Sequence, residues 1–228
     1  MHIKPKIGII GGMGPEATVL LMSRIISLTD ATDDSDHIPL IVDNNTQVPS
    51  RIKALIDKTG DDPGPTLAKM AKGLELSGAQ ALAMPCNTAH YYAAVIEDAV
   101  EIPFLNMIEL TAQQLSRKAL ASRKVGILGS PALALTGIFK RALSAVEIET
   151  IYPAEQNLML DAIRAIKKNS RGDKAGQILQ NAATELIERG AGTLLIACSE
   201  FSLISDCLPQ SYHCIDSIDV LAQAVIDF

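Results

Sequence analysis

The chain reads as one pattern written twice. Lys6-Ile7-Gly8-Ile9-Ile10-Gly11-Gly12 returns as Lys124-Val125-Gly126-Ile127-Leu128-Gly129-Ser130, 118 residues later. Gly78-Ala79-Gln80-Ala81-Leu82 is answered by Gly190-Ala191-Gly192-Thr193-Leu194, 112 residues on, which lays Cys86 on Cys198. Leu105-Asn106-Met107-Ile108-Glu109 pairs with Ile215-Asp216-Ser217-Ile218-Asp219 at 110. Three matches in chain order, at slowly shrinking offsets, indicate an internal duplication with small deletions.

Each copy alternates short apolar runs with helical patterns. In the first, Ile7 to Ile10 reads as a strand, and Gly11-Gly12-Met13-Gly14-Pro15 leads from it into a helix reaching Leu28. Pro15 suits the first helical position and Glu16 the first turn. Strands are expected over 38–42, 79–84 and 103–105, with helices over 65–76 and 91–100. The second copy predicts strands over 124–130, 148–152 and 193–197, and helices over 156–168 and 172–189. Alternation of this kind implies parallel sheets with right-handed crossovers. The expected fold is α/β: two pseudo-symmetric, doubly wound parallel-sheet domains with the active site in the cleft between them. The expected domains are 1–108 with 217–228, carrying Cys86, and 109–216, carrying Cys198.

Charge and composition narrow the function. A net charge of −6 argues against nucleic acid or an anionic membrane as the main partner. No apolar run is long enough to span a bilayer, and the N-terminus shows no signal-peptide pattern, so a cytoplasmic location is expected. The four cysteines, at 86, 198, 207 and 214, form no Cys-x-x-Cys pair and no zinc-ligand spacing. They are expected as free thiols, with no metal. Inert burial suits Cys207 and Cys214, which have no polar neighbours arranged around them.

Cys86 and Cys198 differ in ending a strand and preceding a helix. Unpaired helix N–H groups at such a turn would favour the thiolate. Asn87 and Thr88 add donors beside Cys86; Ser199 and Glu200 hold the matching places beside Cys198. Two thiols on opposite sides of one bound molecule could take a proton from one face of a carbon and return one to the other. Charge developing at an amino acid's α-carbon would need fixed donors and cations. Backbone N–H groups of the loop through Gly12 and Gly14 could supply donors. Arg51 could clamp a carboxylate, and Lys167 or Lys168 could face the cleft from a helix end. Any one of these cations alone also reads as an ordinary solvated surface charge. His90 reads either as orienting Cys86 or as a packing residue, with the structural role preferred.

Several segments together resemble the aspartate/glutamate racemase superfamily, above all its cofactor-independent aspartate racemase branch. They are Gly11-Gly12-Met13-Gly14-Pro15 with Ala17-Thr18, Asn44-Asn45 and Arg51, Pro85-Cys86-Asn87-Thr88-Ala89-His90, and Cys198 followed by Glu200. The resemblance covers nearly the whole chain. It implies a catalytic cysteine from each domain, no metal, no pyridoxal phosphate or other cofactor, an amino-acid substrate and a homodimer. It also implies that Met13, Arg51, Asn87, Thr88, Ser130 and Lys167 contact the substrate. Cys198-Ser199-Glu200 departs from the usual Cys-Thr-Glu, and Ser130 stands where threonine is common; both keep a hydroxyl. The glutamate branch usually closes its second motif with Cys-Thr-His, so Glu200 favours aspartate.

Other readings compete. Gly12-Met13-Gly14-Pro15-Glu16-Ala17 fits a loose dinucleotide fingerprint, but Glu16 would repel a pyrophosphate and the expected acidic residue comes late, at Asp43. A non-catalytic binding protein would explain a cleft with cations but not the matched cysteines. A racemase for glutamate or another amino acid, or a dicarboxylate isomerase or decarboxylase, would use the same scaffold.

Overall fold

The structure, a computed structural model, describes residues 4–118, 120–168 and 173–228. The chain divides into two units: Met1–Leu110 with Ile218–Phe228, and Thr111–Ser217.

In the first unit the elements run β1 (Ile7–Gly11), α1 (Pro15–Leu28), β2 (Leu40–Asn44), α2 (Gly64–Leu76), β3 (Ala81–Ala83), α3 (Ala93–Glu97), β4 (Phe104–Leu105) and α4 (Met107–Arg117). Four parallel strands lie in the order β2-β1-β3-β4. All five residues of β1 are buried, as the centre of a sheet covered on both faces requires. Its alternate side chains part to two cores. Ile7 and Ile9 join Leu21 and Ile25 of α1, while Ile10 joins Leu67, Met70 and Leu74 of α2. Gly8 is a place of close approach: a Cβ there would lie 2.8 Å from Leu82 Cδ2 and 3.1 Å from Leu74 Cβ.

The second unit repeats this plan: β5 (Lys124–Gly129), α5 (Pro131–Thr136), α6 (Ile138–Ser144), β6 (Glu149–Ile151), α7 (Gln156–Lys167), α8 (Asp173–Glu188), β7 (Thr193–Ala197), α9 (Ser199–Ser202) and β8 (Cys214–Asp216). The strand order is β6-β5-β7-β8, again parallel throughout. Helices α7 and α8 cover one face, packing Ile163, Ile166, Leu179 and Leu186 on Leu194 and Ile196. The last helix, α10 (Ser217–Asp227), returns the chain to the first unit and lays Ile218, Leu221 and Val225 against Ile7 and Ile9. The duplicated α/β architecture expected from the sequence is therefore present as two four-stranded parallel sheets.

Strand and helix limits differ from expectation where backbone groups are diverted. The strand expected over 79–84 is only β3. Ala79 N–H donates to the Leu74 carbonyl, closing α2, and Pro85 has no N–H with which to extend the ladder. β2 starts and ends two residues late because Asp43 and Asn44 continue the pairing with Ile10 and Gly11. The helix expected over 91–100 opens instead as a 3-10 turn, Thr88–Tyr92, before the five residues of α3. Residue 172, the expected start of the helix observed as α8, lies outside the described residues. Among the described residues no helix is long and apolar enough to cross a membrane.

In the first unit the loops leaving the two central strands diverge. After β1 the chain enters α1 on one face; after β3 it passes through Ala89, Tyr92 and Ile96 on the other. A switch of this kind opens a crevice at the carboxyl ends of the strands, the usual ligand position in such sheets.

His90 fastens the turn after β3. Its Nε2 accepts the Met107 N–H at 3.1 Å, so Nδ1 carries the proton and donates to the Cys86 carbonyl at 2.9 Å. The ring stacks on Phe104, with centroids 5.3 Å apart. Burial pushes its pKa down from 6.5 to about 4. Between those values the unfolded chain binds the proton that the folded chain refuses, so stability rises with pH across that window. Between pH 7 and 5 the wild type should lose about 2 kcal/mol through this group that a His90→Phe variant does not lose. Urea unfolding of both proteins at the two pH values checks this; parallel losses would show that the ring is not held neutral.

Candidate active site

The first unit gathers its expected site residues at the carboxyl ends of β1, β2 and β3. Gly12 leaves β1 with φ +91°, and a Cβ there would fall 2.2 Å from the Asn45 carbonyl oxygen, so only glycine fits. Its N–H donates to Thr18 Oγ1 at 3.0 Å, which ties the loop to the first turns of α1. Met13 is buried in the same apolar cluster as Val48, Cys86, Ala89 and Tyr92. Gly14 precedes Pro15 as the N-cap of α1. Asn87 is buried, and Thr88 beside it is half-buried.

Arg51 lies beyond the end of β2, just before a π-helical turn over Lys53–Asp57 that the sequence pattern does not announce. Its Nη1 donates to the Pro49 carbonyl at 3.1 Å, which aims the guanidinium. Its Nε is buried and meets no acceptor among the described residues. A buried donor left in that state is costly unless something else accepts from it, and a carboxylate fits the guanidinium fork. Tyr92 and Asp62 frame the same corner. Burial, then the Asp62 carboxylate, raises the pKa of the Tyr92 phenol, and Arg51 opposes them. Neither residue stands out in the sequence. Tyr92 follows Cys86 by six positions, but only packing shows that it turns toward Arg51.

The second unit offers a different set. Ser130 follows β5 directly, is buried, and its Oγ accepts the Ala132 N–H at 3.3 Å as the N-cap of α5. The hydroxyl keeps its own proton to donate. Gly129 pairs with Ala197, so this loop lies beside the one bearing Cys198.

Cys198 Sγ donates to Glu200 Oε2 at 3.0 Å, and Ser199 Oγ donates to the same oxygen at 3.4 Å. Glu200 Oε1 in turn meets Lys167 Nζ at 3.3 Å. The lysine side chain is 40% exposed and the glutamate 11%, so the pair leads from a buried thiol toward solvent. Of the two lysines ending this helix, Lys167 is the one that reaches Glu200; Lys168 is exposed at the helix end.

Protonation at Cys198 runs against the thiolate expected from a helix start. Burial, and then the Glu200 charge and the hydrogen bond it accepts, raise the pKa of this thiol well above its ordinary value. Lys167 opposes them but does not prevail. Burial acts first, a carboxylate stands 3.0 Å from the sulfur, and α9 has only four residues with which to favour the charged form. Cys198 therefore rests as a hydrogen-bond-donating thiol.

Cys207 and Cys214 are free and half-buried, with pKa values raised by burial and then by Asp206 and Asp216 respectively. Among the described residues no group of three or more His, Cys, Asp or Glu side chains is arranged to hold a metal ion.

The Asp/Glu/Hydantoin racemase family matches over residues 10–225. A broad specificity amino-acid racemase, RacX of Bacillus subtilis, is 26% identical over 224 residues, covering 96% of each chain. Among solved structures, Picrophilus torridus aspartate racemase superposes with a TM-score of 0.87 at 31% identity, covering 98% of this chain and 93% of that one. A glutamate racemase of Bacillus anthracis, RacE1, shares the fold with a TM-score of 0.69 at 19% identity, over 98% of this chain and 80% of its own. The family match spans nearly the whole sequence, strands and both cysteine turns included, and on that ground the chain belongs to the Asp/Glu/hydantoin racemase family.

Proposed function

We propose that the protein interconverts L- and D-aspartate without a cofactor, using Cys86 and Cys198 as two proton-transfer groups. The observation that carries this reading is the unequal setting of two equivalent cysteines. Both follow the strand next to the central one and both are buried, at 8% and 7% exposure, yet Cys198 alone donates to a carboxylate among the described residues. A reaction that removes one proton and supplies another needs one sulfur charged and one protonated at the start.

With the proton on Cys198, the first step falls to a Cys86 thiolate. Its Sγ takes the α-proton and becomes a thiol, and the C–H electron pair stays on the α-carbon. The Cys198 S–H bond then breaks toward the opposite face, forming the new C–H bond and leaving a thiolate. That thiolate sits beside the Glu200 carboxylate, a repulsion that Lys167 offsets and that favours taking a proton back. The reverse reaction starts from the opposite protonation.

Arg51 supports a dicarboxylic substrate, because its buried Nε awaits an acceptor while Nη1 is held by the Pro49 carbonyl. Asn87, Thr88, Ser130 and the loop through Met13 supply polar contacts for the α-carboxylate and α-amino groups. A location in the cytoplasm and a homodimer accompany this reading, as does action on a free amino acid rather than a macromolecule.

A panel of L-amino acids assayed by chiral chromatography tests the substrate. Aspartate should racemise fastest; faster turnover of glutamate or of a neutral amino acid would overturn the aspartate assignment. Cys86→Ala and Cys198→Ala should each lower turnover by about 10²–10⁴-fold. Wild-type turnover in either variant would remove that cysteine from the mechanism. Glu200→Gln should make Cys198 easier to ionise, so that iodoacetamide labels it at pH 8 at least about threefold faster than in the wild type. Labelling that stays the same or slows would show that the carboxylate does not hold the proton on sulfur.

A further inference from the structure

His90 and Ser202 occupy the same position in the duplicated pattern. Each lies four residues after its cysteine, and both pairs are offset by 112. His90 Nδ1–H donates to the Cys86 carbonyl at 2.9 Å, and Nε2 accepts from the Met107 N–H at 3.1 Å. Ser202 Oγ lies 3.3 Å from the Cys198 carbonyl oxygen and 2.9 Å from Asp216 Oδ1. Its single proton is shared between the two, with the shorter bond to the carboxylate. Both side chains are buried.

The far ends of these connections fall one position apart in the duplicated pattern, since Met107 answers Ser217 and Asp216 answers Asn106, but both lie where a helix begins. Met107 opens α4 directly after β4, and Asp216 ends β8 directly before α10. Those two helices carry the chain from one unit to the other, after Leu110 and after Ser217. Each cysteine is therefore linked, through the residue four positions on, to the start of a helix along which the chain changes unit.

A serine bonded back to the carbonyl four residues earlier is common in helices, and a neutral histidine in a core is common too. Neither habit explains why an imidazole in one unit and a hydroxyl–carboxylate pair in the other both hold the carbonyl of their own cysteine and both reach the start of a crossover helix. What the two arrangements share is the group they hold, a cysteine carbonyl gripped from the side of the crossover helix.

We propose that His90 and Ser202 are paired positioning residues, each tying the carbonyl of its own cysteine to a crossover helix and thereby fixing where that thiol sits. The carbonyl's direction sets the backbone torsions on either side of the cysteine, and so the direction of the Cα–Cβ bond that carries sulfur. Near a reacting atom, a displacement of about 1 Å can cost about 10²-fold in rate. The catalytic consequence rests on the two-cysteine reading given above; the positioning itself does not.

The test follows each thiol separately in the full-length protein. Iodoacetamide labelling rates of Cys86 and Cys198 are measured by peptide mass spectrometry across pH 7–9.5, alongside racemisation kinetics, in His90→Phe, His90→Asn, Ser202→Ala and Ser202→Thr. His90→Phe should change the Cys86 rate by at least about threefold and leave Cys198 at its wild-type rate; Ser202→Ala should do the reverse. His90→Asn, which keeps only the donor toward the Cys86 carbonyl, should fall between wild type and His90→Phe. Ser202→Thr should restore the wild-type rate at Cys198. Turnover should drop about tenfold in His90→Phe and Ser202→Ala, with KM changed less than about twofold. Wild-type labelling of both cysteines in both variants, or equal shifts at both cysteines in each, overturns the proposal. If His90→Phe does not fold by circular dichroism, His90→Asn and Ser202→Ala decide the matter. If no amino acid racemises even in the wild type, the functional reading fails while the labelling pattern still judges the positioning.

Discussion

A buried thiol pressed against a carboxylate organises the chemistry of this protein. Cys198 and Glu200 are two residues apart on a turn that α9 is too short to make electropositive. Two negative charges at that spacing in a low-dielectric setting would repel strongly, so one proton stays between them. Lys167 meets the other carboxylate oxygen, Oε1, at 3.3 Å. The result is a thiol with a defined hydrogen-bond direction. Asn87 and Thr88 stand beside Cys86 where Ser199 and Glu200 stand beside Cys198, and the proposed division of labour between the two sulfurs rests on that inequality.

The scaffold contributes by topology. In each sheet the order places the loops after the two central strands side by side, and in the first unit their chains go to opposite faces. Such a point needs no special sequence beyond a short loop and a glycine that lets backbone pass close, as Gly12 does against Asn45. Both cysteines stand at this point in their own unit. Duplication therefore delivers two equivalent cysteine positions, and the residues that follow them differ, Asn87 and Thr88 in one and Ser199 and Glu200 in the other.

Much of this is legible in sequence because it depends on period and spacing. The apolar runs of β1, β5 and β7 are continuous since those strands are buried on both faces, and the glycine loops and cysteines recur at nearly fixed offsets. What escapes depends on contacts between residues distant in the chain or on competition between local forces. The 3-10 turn after Cys86 arises from carbonyls captured three residues on, which no apolar periodicity reports. His90 can be read from sequence as orienting a cysteine or as packing; its bond to Met107, seventeen residues away, is set by the fold and not by local spacing. A strand-to-helix turn on its own points to a thiolate at Cys198, and burial together with the reach of Glu200 reverses that sense. Tyr92 and Asp62 near Arg51 have no signal at all in spacing.

The central claim is that two separate groups handle the leaving and arriving protons, and the fate of the α-hydrogen tests it most directly. L-aspartate is incubated with the enzyme in deuterium oxide, and both enantiomers are analysed during the first few per cent of conversion. Two groups on opposite faces predict that the D-aspartate formed carries deuterium at the α-carbon while the remaining L-aspartate still carries protium. Deuterium appearing in recovered L-aspartate as fast as in the product would mean that one group serves both faces, and would contradict the account.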